Sequence, residues 1–335
     1  MRRYVVAVAV LVVVAACGTR PRPELDPLVP TTAPTSSSRS ASATPAVPRS
    51  GSDQPTAVRQ TVTLRRASGT AELPRGGRRI FPRFRLVGYA GLTGASTLGR
   101  LGTGPLDQRV TELEKRARAY RAGRDILPVL EVITSVVQSS PGPDRMYRTR
   151  IGDDQIGRYL RAARRHQALL LLNIQPGRAE FLPEIKAYRK WLKEPDVGIA
   201  LDPEWAMDPG QVPGVAYGHT TGAELDGVAA YLSDVVRTNR LPEKVLVYHQ
   251  VARSVVRGES ALNPHRGVVI IKSVDGLGHP GPKVNTYRRV NRTTPNHVHV
   301  GFKLFFTEDR RNHGRLMRPR EVLALRPRPD YVMYE

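Results

Sequence analysis

Cysteine is almost missing from this chain of 335 residues: Cys17 is the only one. No internal disulfide can therefore brace the fold. Acidic residues are also scarce, 30 against 52 basic ones, for a net charge of +22. Such an excess favours anionic surroundings, whether nucleic acid, phospholipid headgroups or an anionic envelope. Nucleic acid is disfavoured by three further absences: zinc-ligand spacing, an aromatic RNA-binding signature and a dense basic stripe on one element. Long apolar runs are lacking too. The longest, from Val5 to Val14, is too short to span a membrane comfortably.

What is present begins with an address. Arg2 and Arg3 precede that apolar run, and Ala15-Ala16-Cys17 closes it, the layout of a secretory signal. The junction resembles the lipobox of bacterial lipoproteins, with Val14 where leucine is commoner. The resemblance implies that residues 1–17 form a lipoprotein signal and that Cys17 is diacylated, anchoring the protein to the extracytoplasmic face of the cell membrane. Residues 18–79 are rich in Pro, Ser, Thr, Ala and Arg, with ten Arg and no Lys against four acids. So few large apolar residues predict a disordered tether, able to lie along anionic polymers.

Residues 80–335 repeat one unit: a short apolar run, a polar loop, an amphipathic helical stretch. The runs are expected at 85–91, 125–136, 168–174, 196–202, 244–250, 267–274, 297–306 and 330–334, with short or missing helices after the fifth and the last. Near-continuous apolar strands alternating with helices predict a parallel sheet covered by helices. Eight of them in about 250 residues predict an α/β fold of the (β/α)8 TIM-like class, a monomeric barrel. A doubly wound open sheet is the alternative.

The stretch 196–207, D-V-G-I-A-L-D-P-E-W-A-M, organises the rest. By period-two alternation, Val197, Ile199 and Leu201 fall on one face. Gly198, Ala200, Asp202 and Glu204 fall on the other. Small residues suit a crowded barrel interior, and two acids at its mouth are costly unless used or paired. Glycoside cleavage needs a proton donor for the leaving oxygen and a second group to support the charge at the anomeric carbon. Glu204 is expected as the acid, with a raised pKa. Asp202 is expected as the neighbour that orients a substrate acetamido group or stabilises charge.

If functional groups gather where barrel strands end, Tyr89, Glu131, Gln175, His249, Asp275 and Lys303 join them in lining a cleft. Trp205 is placed to stack on a sugar face or to enter the core. A fourth-strand D-x-E in a secreted (β/α)8 barrel resembles the family 18 glycoside hydrolases, chitinases and relatives, and the family 25 muramidases. Asp202 and Glu204 occupy the matching positions. The resemblance implies cleavage of an N-acetylated or envelope glycan, although Ala200 replaces the middle aspartate of the fuller chitinase motif. A likeness to envelope lipoproteins of high-G+C Gram-positive bacteria brings no activity with it.

Other signals are weaker. His297 and His299 share a strand face, yet stand at the strand's beginning with no acid to complete a metal set, so no metal and no cofactor is expected. The glycine-rich loop 91–104 lacks a P-loop lysine and reads as a lip on the site. The reading is thus a membrane-anchored, glycoside-hydrolase-like barrel whose partner is cell-envelope polysaccharide. The competing class is a non-catalytic carbohydrate- or cell-wall-polymer-binding lipoprotein, a pseudoenzyme barrel.

Overall fold

The computed structural model describes residues 71–335. The expected signal at 1–17, the lipidation of Cys17 and most of the expected tether lie outside the described residues.

Eight strands form the core: β1 Phe84–Gly91, β2 Asp125–Val137, β3 Leu169–Ile174, β4 Val197–Leu201, β5 Lys244–Gln250, β6 Val268–Val274, β7 His299–Leu304 and β8 Tyr331–Tyr334. Each pairs in parallel with the next, and β8 returns to pair with β1, from Leu86 opposite Tyr331 to Tyr89 opposite Tyr334. That closure excludes the open doubly wound sheet. The helices outside are α1 Leu106–Ala117, α2 Asp153–Arg165, α3 Phe181–Ala187, α4 Arg189–Leu192, α5 Gly222–Asn239, α6 Pro280–Val290 and α7 Pro319–Leu323. After β5 only the short 3-10 turns Arg253–Val255 and Glu259–Ala261 cover the barrel, where the sequence shows only a brief helical pattern. Among the described residues, no helix is long and apolar enough to cross a membrane.

Alternation along the strands separates two apolar cores. Val197, Ile199 and Leu201 join the layer between barrel and helices. Ala200 faces inward with Leu86, Val129, Leu171, Val247 and Ile271. The division of faces read from 197–201 is therefore the one the barrel uses. Gly198 is small for a physical reason: a Cβ there would stand 2.6 Å from the Val245 carbonyl oxygen and 2.7 Å from Leu171 Cδ2. The carbonyl belongs to the neighbouring strand and cannot swing away. Gly198→Val is expected to cost on the order of 1–3 kcal/mol through overpacking, seen as a lower urea midpoint.

The lower end of the barrel is plugged by Leu73, Ile80 and Phe81, which pack with Phe84 and Leu127 in the inner core. Leu73 is fully packed although the expected tether extends to residue 79. The folded domain thus starts earlier than residue 80, because one leucine in a Pro/Gly/Arg-rich stretch serves as the stopper.

Candidate active site

The inward positions of the upper strand ends are polar. Period-two alternation carries Glu131 of β2, Asn173 of β3, His249 of β5, Ser273 of β6 and Lys303 of β7 into the barrel above its apolar layers. Asp202, Asp275 and Glu335 extend the inward series just past β4, β6 and β8, and Tyr331 of β8 lies one layer below. Gly88 leaves room for Tyr331: a Cβ there would lie 3.0 Å from its hydroxyl.

These groups form one bonded network. Asn173 Nδ2 donates to Glu131 Oε1 at 2.9 Å and to Asp202 Oδ1 at 3.0 Å. Gln175 Nε2 donates to Asp202 Oδ2 at 3.1 Å, so two amides fix that carboxyl from both sides. The His249 ring is held between Glu131 Oε1, 2.8 Å from Nε2, and the Asp275 carboxylate, 2.9 Å from Nδ1. Lys303 Nζ lies 3.2 Å from Asp275 and 2.6 Å from Glu335. The Tyr331 hydroxyl donates to Glu131 Oε2 at 2.9 Å.

Charge is unevenly distributed in this space. Five carboxyls, from Glu131, Asp202, Glu204, Asp275 and Glu335, face two cations, from His249 and Lys303. Burial alone would lower the His249 pKa, but Asp275 and Glu131 outweigh it and hold the ring as imidazolium. Burial likewise opposes the Lys303 charge, and Asp275 and Glu335 overcome it. Burial raises Asp275, yet His249 and Lys303 pull it down to about 2. Glu131 is lowered against burial by the same imidazolium. Three acids receive less compensation. Asp202 is raised by burial beside Glu131, despite His249 and Lys303. Glu335 is raised by burial, with Lys303 opposing. Glu204 is pushed up to about 8 by burial and by the charges of Asp202 and Asp275.

Glu204 does not sit as its spacing suggested. β4 ends at Leu201, and Pro203, with no N–H for a ladder, opens a 3-10 turn over Pro203–Trp205. The two acids thus reach the barrel mouth from a strand end and a turn rather than from two positions of one strand. Glu204 as a residue is half-buried, but its Oε2 is shielded from solvent and has no hydrogen-bond partner. Asn173 Oδ1 is a second buried acceptor without a partner. Trp205, in the same turn, is half-buried.

The structure brings together Glu131, Gln175, Asp202, Glu204, His249, Asp275 and Lys303, with Trp205 beside them in the turn. Tyr89 is a correction. It points outward beneath α1, where its hydroxyl donates to Glu112 Oε1 at 3.0 Å and accepts from Arg116 Nε at 2.9 Å. Selecting residues by strand end missed the alternation that sends Gly88 and Ala90 inward and Tyr89 out. The same alternation turns Lys272 outward to Glu259, at 2.7 Å. His299 lies at the lower end, bonded to Asp330 at 2.7 Å. Glu335 and Tyr331 were missed, although continuing the alternation 331, 333, 335 along β8 would have found them.

A cleft of about 620 Å³ opens on this face, lined by Thr97, Arg100, Leu277, Phe305, Phe306 and Glu335. Glu335 joins the cleft to the network through Lys303. The loop after β1 forms one wall with its glycines in close contact: a Cβ on Gly99 would lie 2.9 Å from Glu335 Cγ. One on Gly102 would lie 2.2 Å from the Ala95 carbonyl oxygen. This loop is a folded lip, with glycines where backbone meets backbone.

The site therefore combines a carboxylic acid that keeps its proton at neutral pH, a second carboxyl fixed by two amides, and a buried cationic pair that anchors the remaining acids. Such a set can donate a proton to a leaving oxygen and support positive charge beside it. Compared with protein-family models and with curated proteins, the chain matches none.

Proposed function

We propose that this protein is a glycoside-hydrolase-like enzyme that cleaves an N-acetylated or envelope glycan. The observation that carries the proposal is the Glu204 carboxyl: Oε2 shielded and unpartnered, pKa pushed up to about 8, adjacent to an amide-fixed Asp202 at the mouth of a closed barrel. Protonated Glu204 delivers its proton to the glycosidic oxygen as the bond to the anomeric carbon breaks. Asp202 supports the positive charge there, directly or by orienting a neighbouring acetamido group. Water then adds its hydroxyl to the anomeric carbon and returns a proton to Glu204.

The pH dependence tests this assignment. A general acid works while protonated, so kcat is expected to fall as pH rises through about 8. A steady rate across pH 7–9 would mean that Glu204 is not the donor.

A second reading has its own support. Glu131, Asn173, Asp202, His249, Asp275 and Lys303 are all buried and bound to one another. A network so closely bonded, with only Asn173 Oδ1 left without a partner, suits a barrel that holds a polymer without cutting it. Such a protein would show glycan affinity without new reducing ends.

The anchor belongs to the same proposal: Cys17 diacylated, with the domain held at the extracytoplasmic face. Palmitate supplied to cells is expected to label the full chain and to be lost with Cys17→Ser. Labelling that survives the substitution would remove the anchor.

A further inference from the structure

A second cleft lies at the other end of the barrel, away from the acids. It encloses about 740 Å³, between the end of α5, the entries to β5 and β6, and the segment that leads into the domain. Five arginines line it: Arg78, Arg79, Arg237, Arg240 and Arg266. Glu243 is the one acid in its lining.

Arginines at a helix C-terminus complement the dipole, which accounts for Arg237 and Arg240. Arg78, Arg79 and Arg266 come from outside that helix and converge on the same cleft. Arg78 is held rigidly, with Nη2 donating to the carbonyl oxygens of Arg240 at 3.1 Å and Leu241 at 2.8 Å, and Nη1 to Ala71 at 2.5 Å. These partners are neutral, so its charge stays uncompensated. Among the described residues, no carboxylate lies within ion-pair distance of Arg78, Arg240 or Arg266. Arg79 meets Glu243 only at 3.7 Å, and that glutamate already accepts from the Ile80 amide. Below the arginines lie Val236, Leu241 and Pro242, an apolar floor.

We infer that this arginine cleft is a binding site for an organic phosphate ester. Guanidinium forks match phosphate oxygens, and a phosphate carries enough charge to engage several of them. The cavity is far larger than one phosphate, and its floor suits the carbon substituent of an ester. Two sources present that chemistry, a phospholipid headgroup and a phosphate ester free in solution, for which glycerol phosphate serves as the probe. The site is independent of the proposed hydrolase and stands or falls separately from it.

The test compares the full chain with two double variants of equal net charge. Arg79→Ala with Arg266→Ala strips the cleft at exposed side chains; Arg158→Ala with Arg161→Ala removes two exposed arginines from α2. In one arm, partition onto phosphatidylglycerol vesicles is measured against phosphatidylcholine vesicles. In the other, glycerol phosphate is titrated calorimetrically. If the ligand is a headgroup, the cleft variant loses anionic-vesicle partition by about five-fold per arginine and the α2 variant keeps more of it. If the ligand is soluble, glycerol phosphate gives a binding heat that only the cleft variant loses. Equal losses by both variants on vesicles, together with no such heat, would overturn the site.

Discussion

Glu204→Gln is expected to lower kcat on a cleavable glycan by roughly 10²–10⁴-fold, the usual contribution of a positioned general acid. That corresponds to about 3–5 kcal/mol of transition-state stabilisation. The substitution keeps shape and removes only the transferable proton, so KM is expected to change little. Stability separates this loss from misfolding. The native carboxyl keeps its proton up to about 8, whereas its unfolded counterpart releases it near 4.5. Native Glu204 therefore costs stability as pH rises from about 4.5 towards 8, and glutamine carries no such cost. At pH 8 the variant should melt no lower than wild type while turning over far more slowly. A variant that retains full activity would take the acid role from Glu204.

His249→Gln is expected to have the largest effect on the fold. The imidazolium touches Glu131 on one side and Asp275 on the other, and all three are buried. Without it, Glu131 loses its cationic partner and Asp275 keeps only Lys303, at 3.2 Å, at a cost of about 3–5 kcal/mol for breaking a buried ion pair. For a domain of this size the melting temperature would fall on the order of 10 °C. The pH dependence has a definite sign. His249 is raised above its unfolded value in the native state, so its contribution is fully present below about 6.5 and is lost only as pH rises through the folded value. Asp275, lowered to about 2, contributes above its unfolded value near 3.8 and loses that contribution as pH falls towards 2. These two groups alone would hold the wild-type melting temperature level between pH 4 and 6.5 and lower it below 4, while Glu204 adds a decline as pH rises from about 4.5. A melting temperature for His249→Gln within a degree of wild type at pH 6 would mean that the ring does not hold the two acids.

The strand-helix alternation was legible because hydrophobic periodicity is local. Eight apolar runs separated by helical patterns point to a helix-covered parallel sheet, barrel or doubly wound, and the small residues Gly198 and Ala200 identify the inner face once the barrel closes. Strand ends alone were a poorer guide to the site. At a given end, adjacent residues point to opposite cores, so Tyr89 looks like a site residue while Tyr331 and Glu335 escape notice. The turn at Pro203 shows a different limit. Its proline is plain in the sequence, but strand alternation does not show the 3-10 turn over Pro203–Trp205 that carries Glu204 into the mouth. The basic cleft was invisible for a third reason. Its arginines lie far apart in the chain, at 78–79, 237–240 and 266, and only closure of the barrel assembles them.

The measurement that tests the central claim most directly is release of new reducing ends from a panel of envelope glycans and chitooligosaccharides by the full chain, beside its Glu204→Gln variant. The account predicts release from at least one N-acetylated or envelope glycan, abolished or nearly so by the substitution. Release from none, with wild type and variant retaining equal affinity for a member of the panel, would contradict it and leave a barrel that binds the polymer without cutting it.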